Sequence, residues 1–145
     1  MPIFRTDLYV KITVADYNLS RSSEILFQCL QNISDLRNIQ MTKVRVDREK
    51  QGKIKIEEWY EITGSVNVPE GGKSFWVISK ERSENEPYNF FMRIDRNTED
   101  KNYETAQRTA SDWVMQELIQ PLESRLAVQE KSISPPIKLS KIAKA

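Results

Sequence analysis

Near the start of the chain, Leu8, Val10, Ile12 and Val14 alternate with Tyr9, Lys11 and Thr13. A period of two with β-branched residues predicts a half-buried strand. The period then changes. Ile25, Leu26, Cys29, Leu30, Ile33 and Leu36 recur at steps of three and four behind Ser20, a candidate N-cap. That spacing predicts an amphipathic helix over about 20–37.

A hairpin follows. Thr42, Val44 and Val46 alternate with Lys43, Arg45 and Asp47, and Arg48 to Gly52 reads as the turn. The return strand puts Ile54, Ile56, Tyr60 and Ile62 on one side and Lys55, Glu57, Trp59 and Glu61 on the other. Gly64 to Lys73 reads as a loop, with Pro69 and Gly71-Gly72 as breakers. Ser74 to Glu81 is apolar on both sides and reads as a central strand. Tyr88 to Asp95 is a further strand, with Tyr88, Phe90, Met92 and Ile94 inward. A long helix is expected from about Tyr103 to Gln129, and Lys131 to Ala145 as a tail.

The pattern predicts one α+β domain over 1–130. Its core is a mostly antiparallel sheet of about five strands with helices packed on one face, in the order β-α-β-β-β-β-α. A long C-terminal helix and a basic, apolar tail over 131–145 complete it. The order of elements resembles that of ligand-holding helix-grip domains and of double-stranded-RNA-binding-like domains. The resemblance covers topology alone, and it assigns a role to no residue.

Composition supports a folded domain. Apolar residues make up 39% of the chain and charged residues 30%, so there is material for a core and a solvated surface. Net charge is +1, which argues against a dedicated nucleic-acid coat. The first residues lack an apolar run after a basic start, and no stretch of about 18 apolar residues occurs. A cytoplasmic location is therefore expected.

The chain contains no histidine and a single cysteine, Cys29. Most neutral-pH proton shuttles and most zinc sites are thereby removed, and Cys29 reads as a small core residue. Gly71-Gly72-Lys73-Ser74 resembles the end of a phosphate loop. However, Asn67 stands where the leading glycine belongs, and a strand rather than a helix follows. Asp95, Asn97, Glu99 and Asp100 cluster oxygen ligands without the glycine and glutamate spacing of a calcium loop. Glu57 and Glu61 suit cross-strand ion pairing. Glu58 falls on the inner side between Ile56 and Tyr60, which implies a bulge, a buried partner or a cavity. No enzyme activity, cofactor or metal is expected.

The C-terminal helix carries two apolar stripes. Tyr103, Ala106, Ala110, Trp113 and Val114 form one; Met115, Leu118, Ile119, Leu122 and Leu126 form another, rotated by roughly 130°. Either the helix is simply wide-faced, or it bends at Pro121 and keeps wrapping its own sheet, or the second stripe meets another chain.

The leading expectation is a non-enzymatic protein-interaction or assembly module, in a homo-oligomer or a larger assembly. It acts through Met115, Leu118, Ile119, Leu122 and Leu126 and through the tail residues Ile137, Lys138, Leu139, Lys141 and Ile142. The alternatives are a nucleic-acid-binding module using Lys43, Arg45, Lys55, Trp59, Phe91 and Arg93, and a small-molecule carrier with a sheet–helix cavity over Glu58 and Tyr60.

Overall fold

The structure is a computed structural model that describes residues 3–5, 8–15, 18–66, 72–99 and 103–134. The elements in order are β1 (Ile3–Arg5), β2 (Leu8–Val14), α1 (Leu19–Gln31), β3 (Leu36–Lys50), β4 (Lys53–Val66), β5 (Gly72–Ser79) and β6 (Phe90–Glu99). Then come α2 (Tyr103–Trp113), a π-helical segment (Val114–Ile119), α3 (Gln120–Glu123) and β7 (Val128–Ser134). The strands form one antiparallel sheet in the order β3-β4-β5-β6-β2-β7, with β1 pairing farther along β6.

The α+β class and the mostly antiparallel sheet hold, but three expectations need correction. The sheet has more than five strands, because Val128–Ser134 is a strand paired with β2. The order therefore closes on a strand, not on a helix. The helical run ends at Glu123, short of the expected Gln129. Pro121 follows directly on the π segment, and the backbone at Ile119 and Gln120 before it is helical. The run stops as Ser124 Oγ donates to the Pro121 carbonyl and Leu126 N–H to the Leu122 carbonyl. Residues 131–134, assigned to the tail, belong to β7; residues 135–145 lie outside the described residues.

Local chemistry moves other boundaries too. Asn18, not Ser20, caps α1, its Oδ1 accepting the Arg21 N–H. Asn32 ends the helix, so Leu36 opens β3. The β3–β4 turn is tighter than expected. Lys50 pairs with Lys53, and Gln51 and Gly52 both take positive φ, at 55° and 75°. That is the two-residue turn whose twist matches paired strands. Gly64 serves close approach instead: a Cβ there would come within 2.5 Å of the Phe75 ring and 2.9 Å of the Arg37 carbonyl.

One side of the sheet makes the core. Leu8, Val10, Ile12 and Val14 of β2, Phe90, Met92 and Ile94 of β6, Phe75 and Val77 of β5, and Ile62 of β4 are buried there. Leu26, Cys29 and Leu30 of α1 and Ala110, Val114, Leu118, Ile119 and Leu122 of the C-terminal run cover them. Asn89 ties the β6 end to β2, its Oδ1 accepting the Val14 N–H at 3.0 Å and its own N–H donating to the Ile12 carbonyl.

Ala110, Trp113 and Val114 of the first stripe and the residues of the second both reach this core because of the π segment. There Gln120 N–H donates to the Met115 carbonyl, five residues back. The extra residue takes back about 100° of phase, most of the offset between the stripes. Leu118, Ile119 and Leu122 are thus 1%, 0% and 0% exposed, and Leu126 is 5% exposed. The surface expected to meet another chain is closed against the protein's own sheet. Trp113 Nε1 donates to Asp35 Oδ2 at 2.9 Å, pinning the run beside the start of β3.

We predict that Leu122→Ala lowers unfolding free energy by about 2–5 kcal/mol, the range for a buried leucine lost to a cavity. Urea denaturation followed by circular dichroism measures it.

Candidate functional site

Strand alternation that buries one face of the sheet presents the other. Register places Tyr9, Arg93, Trp76 and Thr63 in one row across β2, β6, β5 and β4, and Lys11, Phe91, Ile78 and Glu61 in the next. Trp59 and Val44 continue this face onto the hairpin. The helices pack on the opposite side, and among the described residues no helix covers these rows.

The rings form a connected cluster. Tyr9 stacks on Phe91 with centroids 6.0 Å apart, Trp76 meets Phe91 edge-on at 6.2 Å, and Tyr88 tilts against Phe91 at 5.6 Å. Cations of the same chain lie over three rings: Lys11 over Tyr88 at 5.7 Å, Lys80 over Trp59 at 5.5 Å and Arg93 over Trp76 at 5.6 Å. Each ring is half-buried by its neighbours and keeps part of its surface open. Burial, then the nearby Glu86 carboxylate, push the Tyr88 phenol up, so the ring stays neutral at ordinary pH.

Most cations here already face carboxylates. Arg93 Nε lies 3.0 Å from Asp95 Oδ1, Lys80 Nζ 2.8 Å from Glu86 Oε1, Arg48 Nε 3.5 Å from Glu57 Oε2 and Lys55 Nζ 3.8 Å from Glu57 Oε1. Such pairing leaves little free positive field for a phosphate backbone. Of the residues expected to bind nucleic acid, Lys55, Trp59, Phe91 and Arg93 share this face. Lys43 and Arg45 do not: they project from the other side of β3, beside Glu58 and Asp47.

The hairpin also resolves Glu58. The β3–β4 register runs without a shift from Met41↔Ile62 to Lys50↔Lys53, so no bulge redirects it. Glu58 is on the inner side, as alternation requires. However, β5 pairs with β4 only from Tyr60 to Ser65, so the hairpin extends past the core as a two-stranded arm. Ile54 and Ile56, expected inward, are 72% and 51% exposed there. Glu58 pairs with Lys43 at 3.4 Å. Glu58 and Tyr60, over which a sheet–helix cavity is expected, line an open cleft of about 530 Å³ at the arm's root together with Leu19, Ser20, Lys43, Ile56 and Glu81.

Other sequence candidates find plain positions. Cys29 is buried in the core. Gly72 opens β5, so no helix follows the glycine pair, and Gly71 lies outside the described residues. Asp95 faces Arg93 and accepts from Ser74 Oγ at 3.1 Å. Asn97 and Glu99 pair with β1, and Asp100 lies outside the described residues. Among the described residues, no group of three or more acidic or cysteine side chains is arranged to hold a metal. No helix among them is long and apolar enough to cross a membrane. Of the expected interaction residues, Met115 is partly buried against the core with the four leucine and isoleucine residues of its stripe. Ile137, Lys138, Leu139, Lys141 and Ile142 lie outside the described residues.

Sequence reasoning singled out Trp59 and Phe91 but missed Tyr9, Trp76 and Tyr88. The signal was present: Tyr9 and Trp76 fall out of phase with the inward residues beside them. The sequence matches no protein-family model and no curated protein.

Burial holds the Cys29 thiol above its ordinary range, with Arg125 pulling the other way. A raised folded-state value means the native state keeps its proton after the unfolded chain has lost its own. Stability therefore falls as pH climbs above the ordinary thiol range. We predict that a maleimide leaves native Cys29 unmodified at pH 8 and modifies it once urea unfolds the chain, read by intact mass.

Proposed function

We propose that the chain is a non-enzymatic protein-interaction module whose binding surface is the outer face of the sheet. One observation carries this reading: the connected cluster of Tyr9, Trp76, Tyr88 and Phe91 on an antiparallel face that no described helix covers. Tyrosine, tryptophan and arginine are the residues that dominate binding energy at protein interfaces. The rings are held by one another, so little side-chain entropy is lost when a partner lands on them. Ile78 and Val44 add aliphatic surface beside the rings. The C-terminal stripe, first expected to bind, is buried and is withdrawn from the proposal; the partner surface moves to the other side of the sheet.

Nucleic acid is the second reading, favoured by aromatic rings beside cations on exposed strands. The pairing of those cations with carboxylates weighs against it.

A benzophenone amino acid placed at Phe91 tests both in an extract of the native cells. The proposal expects a photo-adduct that protease removes and nuclease leaves, with none from the same group at Glu104 on α2. A nuclease-sensitive adduct, or equal adducts from both positions, overturns it.

A further inference from the structure

The outer face lies beside the place where the described chain ends. Ser134 of β7 sits opposite Tyr9 of β2, and Tyr9 stacks on Phe91. The sequence then reads Pro135-Pro136-Ile137-Lys138-Leu139-Ser140-Lys141-Ile142 and continues to Ala145. Neither proline has an N–H to give to a neighbouring strand. The stretch from 135 to 145 reaches up to about 36 Å. Crossing from β7 over β2, β6 and β5 to β4 takes four interstrand steps, about 19 Å.

The chemistry matches as well as the reach. Residues 135–145 hold Ile137, Leu139 and Ile142 with Lys138, Lys141 and Lys144, and no carboxylate side chain. Ring faces accept both aliphatic groups and cations. Two carboxylates of this face, Glu61 and Glu130, have no lysine or arginine in ion-pair range among the described residues. Glu61 takes only the Trp59 Nε1 hydrogen, and Glu130 pairs in register with Thr13.

We infer that the segment 137–142 docks on the outer sheet face of its own chain and competes there with the partner. The competition rests on the reading that this face binds a protein; the docking does not. Because the segment is tethered, its effective concentration at the face is high, and weak contacts suffice to occupy it. A partner must then bind against that occupancy.

The test uses the full chain with Trp59→Phe and Trp113→Phe, leaving Trp76 as the reporter; circular dichroism checks that it folds. Changing Ile137, Leu139 and Ile142 to serine should shift Trp76 emission to the red and raise its quenching by acrylamide. Benzophenone at Phe91 in the purified wild-type chain gives an independent readout that leaves all three tryptophans in place. Its adduct should map to 137–142 and run at the mass of one chain. Unchanged quenching, an adduct to another segment, or an adduct joining two copies overturns the docking. In extract, the three serines should increase the partner adduct. An unchanged partner adduct overturns competition while leaving the binding face intact. A tail adduct with no partner adduct instead removes the binding reading and leaves the docking.

Discussion

A helical run that covers a sheet must keep its apolar side chains on one side over its whole length, and the stripes from Tyr103 to Leu126 are out of phase by more than a residue. The π segment Val114–Ile119 absorbs the mismatch by admitting one extra residue into a turn. Val114, Leu118, Ile119 and Leu122 then share one core with α1 and the inner residues of β2 and β6. A straight α-helix would strand one stripe in water. The rest of the architecture follows from that seal: both helical layers are consumed by one face, and among the described residues no helix covers the other.

The two faces differ in chemistry as well as in cover. The inner face holds buried aliphatic residues with Phe75 and Phe90, and one buried hydroxyl pair between Ser79 and Ser23 of α1. The outer face holds rings with polar edges, cations and paired carboxylates, a mixture that tolerates water and can trade it for a partner. The hairpin arm carries the same division beyond the core. Ile54 and Ile56 keep the inner phase there although nothing described covers them, while Trp59 and Val44 extend the outer face.

Much of the fold was legible because period and breaker residues act locally. The alternation in 8–14, 42–46 and 74–79 located strands, and the apolar spacing in 25–30 located α1. The errors arose where a distant contact decides. Ile54 and Ile56 look inward by phase, but only the extent of β5 pairing shows that the core ends at Tyr60. Val128–Ser134 is too polar to announce a strand by itself, and its pairing with β2 makes it one. The second stripe of the C-terminal run is buried, as an apolar stripe should be, yet helical period alone cannot show the π turn that brings it round. The site was half legible for the same reason. Phe91 and Trp59 stood out beside cations, whereas Tyr9, Tyr88 and Trp76 join them only through register and folding.

Phe90 and Phe91 adjoin in sequence and lie on opposite faces, so substituting each by alanine tests the division most directly. Phe90 is 1% exposed amid the core. The account predicts that Phe90→Ala costs about 3–5 kcal/mol in chemical denaturation, the range for a buried phenylalanine. Phe91→Ala should cost at least about 2 kcal/mol less, since it leaves an open ring cluster and no sealed cavity. Equal losses, or a greater loss at Phe91, would contradict the claim that one face is the core and the other is free to bind.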